Sequence, residues 1–180
     1  MRTGNVFASL AAIGGVVFVA SLLVACSGGE DRPGSGSISG SGSGTGVGIG
    51  SGVVEDKPDG ATQVDVLLSE WAITPSETSV RAGEIYFLVE NAGPDDAHEF
   101  VVIRTDEAPD ALPVVEGRVP EGDVDLVDEI RPYTPGSSAS ITLDLEPGKY
   151  VFICNIAEVE GGELESHYEL GMRVGFEVVE

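Results

Sequence analysis

The chain has 180 residues, enough for one domain of roughly 100–150 residues with tails. It carries 31 acidic and only nine basic side chains, a formal net charge of −22, although 42% of its residues are hydrophobic. A normal core with an acidic surface argues against a nucleic-acid partner, because phosphate binding needs a basic footprint. The acidic surface fits either life in high salt or attraction of a basic partner, and the composition leaves both open.

The first 25 residues have the pattern of a secretory signal peptide. Arg2 supplies a positive start, and an apolar run extends from Val6 to Ala25. The run ends in Leu23-Val24-Ala25-Cys26, which is similar to the lipobox of bacterial-type lipoproteins. We therefore expect Cys26 to be lipidated, with the protein anchored to the membrane at the cell envelope and facing the periplasm or the exterior. An uncleaved transmembrane anchor is the alternative, because about 20 apolar residues can span a bilayer.

Residues 26–59 read as the lipidated cysteine followed by a flexible linker. The stretch is dominated by Gly and Ser and has too few large apolar groups to form a core. A random coil of about 30 such residues has an r.m.s. reach of roughly 30 Å. The linker is therefore predicted to let a folded domain move near the membrane without leaving it.

Residues 60–180 are predicted to form one all-β domain. From Ala61 onward, short runs rich in Val, Ile, Phe, Tyr and Leu are separated by Gly, Pro, Asn and Asp. We predict eight strands, near residues 63–71, 78–81, 84–91, 98–105, 126–130, 138–143, 149–154 and 173–179. Together with the lack of a long amphipathic helix, they indicate a Greek-key β-sandwich or barrel of about eight strands. The acidic stretch 106–125 is predicted to be a long loop containing one short helical turn.

Two of these strands have a clear two-residue period. The apolar positions of the last strand are Met172, Val174, Phe176 and Val178, which alternate with polar residues or Gly. This is the pattern of a strand with one buried face. In the preceding strand Cys154 shares a face with two large aromatic side chains, Tyr150 and Phe152.

Four residues form a candidate metal site. Apart from Cys26, the chain beyond the predicted signal peptide has one cysteine, one methionine and two histidines, namely Cys154, Met172, His98 and His167. All four lie at predicted strand ends or between strands. A thiolate, two imidazoles and a weak thioether form the ligand set of a trigonal type-1 (blue) copper centre with a long axial bond.

The segments around these residues resemble the copper loops of the cupredoxins. The sequence Tyr150-Val151-Phe152-Ile153-Cys154, followed by His167-x4-Met172 and an alternating last strand, is similar to the C-terminal copper loop of that family. The segment 80–100 looks like the family's other copper segment, and the resemblance spans residues 64–179. It is nearest to the long-loop sulfocyanin and rusticyanin types. It implies that His98, Cys154, His167 and Met172 hold one type-1 copper ion, and that the protein carries electrons and is not an enzyme.

Two features depart from the family pattern. Twelve residues, 155–166, separate Cys154 from His167, where cupredoxins usually have only a few. The paired Gly161 and Gly162 predict a hairpin-like protrusion whose ends still meet. The first histidine is followed by Glu99, and a carboxylate close to the metal would lower the reduction potential by favouring Cu(II).

A docking surface is also predicted from the resemblance. In cupredoxins the imidazole that matches His167 reaches the surface through an apolar patch. The candidates for that patch are Ile156, Val159, Leu164, Tyr168 and Leu170, and the acidic rim would consist of Glu158, Glu160, Glu163, Glu165 and Glu169. We expect a monomer to which a basic redox partner, such as a cytochrome or an oxidase domain, docks transiently.

Three other functions remain open at this point. The same ligands suit a copper-binding protein that buffers copper or delivers it to an envelope enzyme. Cys154, His98 and His167 also suit structural zinc, which prefers sulfur and nitrogen ligands. A metal-free β-sandwich used for adhesion or sensing is the third alternative.

Overall fold

A computed structural model of the protein describes residues 49–180. The predicted signal peptide, Cys26 and the linker up to residue 48 lie outside the described residues. Within them, the strands are β1 (Thr62–Ser69), β2 (Ala72–Pro75), β3 (Ser79–Arg81), β4 (Gly83–Gly93), β5 (His98–Arg104), β6 (Asp125–Tyr133), β7 (Ser137–Leu145), β8 (Gly148–Ile153), β9 (Ala157–Glu160), β10 (Glu163–Ser166) and β11 (Arg173–Val179). One α-helix, α1 (His167–Leu170), and one 3₁₀ turn, Glu121–Asp123, complete the elements. No helix in this part of the chain has both the length and the apolar character needed to cross a membrane.

Nine of the strands form two sheets. The first sheet has the order β2-β1-β4-β7 and the second the order β3-β11-β8-β5-β6, while β9 and β10 pair only with each other. The pairs β1/β4 and β11/β3 are parallel, and the other pairs are antiparallel. The prediction of an all-β sandwich is confirmed. The eight predicted strands are all present. The three additional ones are β9, β10 and β2, which is short and contains a proline, so its sequence carries little strand signal.

The main core lies between the two sheets. Phe87 from the first sheet packs against Phe100, Phe152 and Phe176 from the second, with ring centroids of neighbouring pairs 4.7 to 5.9 Å apart. Tyr150 and Cys154 belong to the same buried cluster as Phe152, as their shared strand face predicts. In the last strand the predicted face is also confirmed. Phe176 and Val178 of β11 are buried, as is Met172 just before it, and Val174 is partly buried against the same cluster.

A second, smaller cluster covers the outer face of β5 and β8. Its members from the sheet are Val101, Ile103, Val151 and Ile153, and its members from outside the sheet are Leu112, Val119 and Tyr168. Both faces of β5 and β8 are therefore buried, which explains their continuous apolar sequences. The acidic stretch predicted as a loop lies against the sheet through Leu112 and Val119 and contains the predicted short turn, the 3₁₀ turn at Glu121–Asp123.

The part of the predicted linker nearest the domain is bonded to it. Thr134 donates a backbone hydrogen bond to the carbonyl of Gly50 (3.1 Å), and Ser140 donates one to the carbonyl of Val53 (2.9 Å). The Tyr86 hydroxyl donates to the Glu55 carbonyl (2.9 Å). Ordered contacts with the sandwich thus begin ahead of residue 60.

Candidate metal centre

Three of the four predicted ligands meet at one end of the sandwich. His98 is the first residue of β5, and Cys154 directly follows β8. The two strands are antiparallel neighbours, so the start of one lies beside the end of the other. His167 opens α1, immediately after the β9–β10 hairpin. All three side chains are fully buried, and one ligand atom of each lies within 4.8 Å of the others.

The ring nitrogens and the sulfur lie close enough together to share one ion. Nδ1 of His98 is 3.2 Å from Nδ1 of His167, and that atom is 3.3 Å from the Sγ of Cys154. Metal–nitrogen bonds of about 2 Å place neighbouring tetrahedral ligands about 3.3 Å apart. A cation bound among the three atoms would accept a lone pair from each. This donor set therefore fits a metal better than it fits hydrogen bonds among its own members.

Burial keeps all three groups uncharged in the metal-free protein. Desolvation lowers the pKa of His98, against the opposing charge of Glu70. Desolvation, with the neighbouring His98, lowers the pKa of His167 to about 4. Desolvation raises the pKa of the Cys154 thiol to about 12. Neutral imidazoles have the free lone pair that a metal needs, whereas the thiol must release its proton on binding.

The fourth predicted ligand, Met172, is linked to two of the others through its backbone. Its carbonyl accepts a hydrogen bond from the Cys154 N–H (3.1 Å), and its N–H donates to the His167 carbonyl (2.9 Å). The side chain is fully buried in the same cluster as Cys154. Met172 thus lies in the same corner of the core as the thiol.

The inserted segment 155–166 does not separate Cys154 from His167. It forms the antiparallel hairpin β9–β10, which turns at Gly161 and Gly162, both with positive φ. His167 donates a backbone hydrogen bond to the Ile156 carbonyl (3.0 Å), so the two ends of the insertion are paired. The predicted hairpin is confirmed, and it explains how a long insertion leaves the site intact.

The base of the hairpin is held by the segment 117–119. Arg118 donates hydrogen bonds to the carbonyls of Asn155 (3.1 Å) and Ala157 (2.6 Å). The Asn155 side chain accepts from the Val119 N–H (2.6 Å) and donates to its carbonyl (2.9 Å). On the other strand, Ser166 donates to the Gly117 carbonyl (2.6 Å). The loop therefore fixes the hairpin strands that lead from Cys154 to His167.

Glu99 joins the two strands that carry His98 and Cys154. Its carboxylate accepts the Asn155 N–H (2.8 Å), and its own N–H points at the Cys154 sulfur (3.5 Å). Because side chains alternate along a strand, the Glu99 side chain lies on the face of β5 opposite to that of His98. Burial raises the pKa of Glu99 to about 7, partly offset by the Asn155 N–H.

Two residues that contact the candidate ligands were not predicted from the sequence. Trp71, between β1 and β2, packs edge-on against His167, with ring centroids 4.9 Å apart, and lies 6.4 Å from the His98 ring. Its neighbour Glu70 places Oε1 3.7 Å from Nε2 of His98. Burial raises the pKa of Glu70, but the backbone N–H groups of Asp96 and Asp95 outweigh this and hold it below its ordinary value. The available signal was that Trp71 is the sole tryptophan of the chain.

The predicted apolar patch of the docking surface is only partly correct. Val159, Leu164 and Leu170 are exposed at 71%, 54% and 48%. Tyr168 is buried in the second cluster, where its hydroxyl donates to the Pro109 carbonyl (2.8 Å), so its assignment to the exposed patch is wrong. The expectation that His167 reaches the surface is also wrong, because its side chain is fully buried, with Trp71 packed edge-on against its ring.

An acidic face of the hairpin lies beside His167. Side chains of Glu158 and Glu165 form a cross-strand pair, and one carboxylate oxygen of each lies within 4.8 Å of a ring nitrogen of His167. The next cross-strand pair along the same face is Glu160 with Glu163. The predicted acidic rim thus has four members on one face.

Comparison with solved structures places this architecture among known folds. An auracyanin from the photosynthetic bacterium Roseiflexus castenholzii, in its dithionite-reduced form, matches with a TM-score of 0.50 and 24% identity, covering 67% of this chain and 100% of that chain. The chain has the cupredoxin fold.

Two further cupredoxin structures are similar. Auracyanin B matches with a TM-score of 0.49 and 22% identity, over 73% of this chain and 97% of that chain. Auracyanin A, a "blue" copper protein of Chloroflexus aurantiacus, matches with a TM-score of 0.48 and 16% identity, over 67% of this chain and 100% of that chain. No family model and no curated protein matches the sequence. The finer resemblance to sulfocyanin and rusticyanin stays a prediction.

Proposed function

We propose that the protein is a type-1 copper protein that carries single electrons between redox partners. His98, Cys154 and His167 would hold the copper, with Met172 as the weak axial ligand. The observation that carries the proposal is the buried convergence of one thiol sulfur and two imidazole nitrogens, 3.2 and 3.3 Å apart, in a cupredoxin fold. Copper supplies reversible one-electron exchange when bound to such ligands.

The surrounding residues would serve that function by rigidity and exclusion of water. The ligands lie at the ends of paired strands or beside them, and Trp71 packs over His167. A stiff donor set limits the rearrangement between Cu(I) and Cu(II). The chain has two histidines in total, so no imidazole remains for a second copper centre of a catalytic type. The proposed role is therefore electron transfer and not catalysis.

The proposed setting is the cell envelope. A lipid on Cys26 would anchor the protein, and the part of the predicted linker 26–59 that precedes Gly50 would give the domain its reach, because the residues from Gly50 onward are bonded to the sandwich. A basic partner, such as a cytochrome or an oxidase domain, would dock at the acidic face of the hairpin near His167. This part of the proposal is supported by the signal-like sequence and by the four glutamates on one face.

A visible spectrum recorded during Cu(II) titration tests the proposal. One equivalent should give an intense orange-red absorption from thiolate-to-copper charge transfer, which bleaches on reduction and returns on oxidation. Cys154→Ser should abolish the band, while Val159→Ala, an exposed substitution on the hairpin, should leave it unchanged. An absence of the band in the unmodified protein would contradict a blue-copper site. Loss of copper on reduction would instead indicate copper delivery.

A further inference from the structure

A partly buried carboxylate, that of Glu70, lies next to one of the candidate ligands. Oε1 of Glu70 is 3.7 Å from Nε2 of His98. The same oxygen accepts the backbone N–H groups of Asp95 (3.1 Å) and Asp96 (2.9 Å), two residues of the loop that leads into His98. The loop therefore fixes the carboxylate, and its N–H donors stabilise the charged form.

The two nitrogens of His98 have different surroundings. Nδ1 faces His167, on the side of the Cys154 sulfur, whereas Nε2 faces Glu70. His98 is fully buried, and neither its Nε2 nor Oε2 of Glu70 has a hydrogen-bond partner among the described residues. A neutral imidazole carries one proton, and the position of that proton decides which nitrogen can bind a metal.

We infer that Glu70 is a positioning residue, which holds the proton of His98 on Nε2 and so leaves the Nδ1 lone pair for the metal. The inference deepens the proposed function and rests on it for the identity of the metal. A negative charge next to Nε2–H stabilises that tautomer and makes Nδ1 a stronger donor. The stronger donor favours Cu(II), so Glu70 lowers the reduction potential.

Glu70 also holds the loop 95–96, and the test must separate this structural role from the effect of its charge. Glu70→Gln removes the charge but retains an oxygen that accepts both N–H groups. Glu70→Asp retains the charge on a shorter side chain. Glu84→Gln is the matched control, because it removes the same charge from an exposed glutamate. Glu84 lies at the start of β4, where it is paired with Asp144 of β7.

The first readout requires no copper. In long-range ¹H–¹⁵N spectra of the full-length, metal-free protein, His98 should carry its proton on Nε2 in the wild type, Glu84→Gln and Glu70→Asp. In Glu70→Gln a substantial fraction should shift to Nδ1–H. A wild-type His98 protonated on Nδ1 overturns the inference, even if the glutamine variant fails to fold. An unchanged tautomer in folded Glu70→Gln also overturns it.

The second readout uses the metal. Copper(II) affinity should fall about 10- to 100-fold in Glu70→Gln, the usual effect of losing such a partner, and the reduction potential should rise. Both should stay unchanged in Glu84→Gln. Equal losses in Glu70→Asp and Glu70→Gln would show that the loop contact matters and the charge does not. If the wild type binds no copper, the proposed function fails, and the tautomer still decides the role of Glu70.

Discussion

At the scale of single residues, burial keeps the candidate ligand side chains uncharged in the metal-free protein. The low pKa of His167, about 4, and the high pKa of Cys154, about 12, both arise mainly from desolvation. The metal-free site consequently holds no charged ligand at neutral pH. Metal binding would replace the thiol proton with a cation. The net free-energy cost of burying a thiolate beside a cation is smaller than that of burying a thiolate alone.

Met172→Leu tests the predicted axial ligand. The two side chains have similar volumes, so the swap should cost less than about 1.5 kcal/mol of stability. Removing the thioether should preserve the colour but raise the reduction potential, because Cu(II) loses a donor. Voltammetry together with denaturant unfolding of the metal-free variant measures both effects. An unchanged potential would show that Met172 is core filler only.

Glu99→Gln tests a pH dependence of the metal-free protein. Burial raises the pKa of the Glu99 carboxyl to about 7 from its ordinary value of 4.5, so between these pH values the native state keeps a proton that the unfolded chain has released. Stability contributed by this proton is present below about pH 4.5 and is lost as pH rises to about 7. Glutamine retains the acceptor for Asn155 without titrating. The free energy of unfolding of Glu99→Gln minus that of the wild type should therefore rise between pH 5 and 8, because only the wild type loses stability there.

The histidines do not obscure this comparison. The low folded pKa of His167 makes stability fall as pH drops from about 6.5 to 4, in wild type and variant alike. The difference between the two proteins therefore reports Glu99. Parallel stability curves for wild type and Glu99→Gln across pH 5–8 would refute the buried-carboxyl explanation.

At the scale of elements, the β9–β10 hairpin has regular backbone pairing but like charges on facing side chains. Its ends are paired at Ile156 and His167, but Glu160 faces Glu163 and Glu158 faces Glu165 across the strands. Like charges directly opposite destabilise a strand pair. The hairpin therefore presents a concentrated negative face at a cost to its own stability, and this is the face at which we propose that a basic partner docks.

Glu163→Lys tests that trade-off. The new pair with Glu160 should stabilise the protein by roughly 0.2–1 kcal/mol, because opposite charges replace like charges. Association with a basic redox protein such as cytochrome c should become slower and less dependent on salt, because steering acts on the association rate. Stopped-flow kinetics over a range of ionic strength measures this. Glu84→Lys makes the same change in net charge, and an equal slowing there would argue against docking at the hairpin.

At the scale of the whole molecule, packing of the sandwich holds the strands that carry the candidate ligands. The ring cluster of Phe87, Phe100, Phe152 and Phe176 joins both sheets, and Phe100 and Phe152 belong to the strands that lead to His98 and Cys154. The second cluster covers the opposite face of β5 and β8 with Leu112, Val119 and Tyr168. The ligand-bearing strands are thus packed on two sides, which restricts movement of the ligands.

Phe87→Ala measures how much this packing contributes. Phe87 is fully buried against three other rings, so its removal should cost about 3–5 kcal/mol of stability. Val159→Ala, at a site 71% exposed, should change stability by no more than about 0.5 kcal/mol. Chemical denaturation monitored by circular dichroism provides the comparison. A similar small loss in both variants would disprove the central role of the ring cluster.

The elements predictable from sequence depend on local pattern. The alternation that ends at Val178, the face shared by Tyr150 and Cys154, and the turn at Gly161 each follow from neighbouring residues, since a strand has a period of two and a tight turn needs glycine. The strand β2 was missed because it is four residues long and ends in proline.

The sequence by itself determined which sulfur and imidazole ligands are available to a copper ion, because residues 49–180 contain only two histidines, one cysteine and one methionine. Only the tertiary structure decided their surroundings. Trp71 over His167, Glu70 behind His98, and Val119 against Asn155 are contacts between segments far apart in the chain. Such contacts depend on strand order and sheet packing, which local periodicity does not specify.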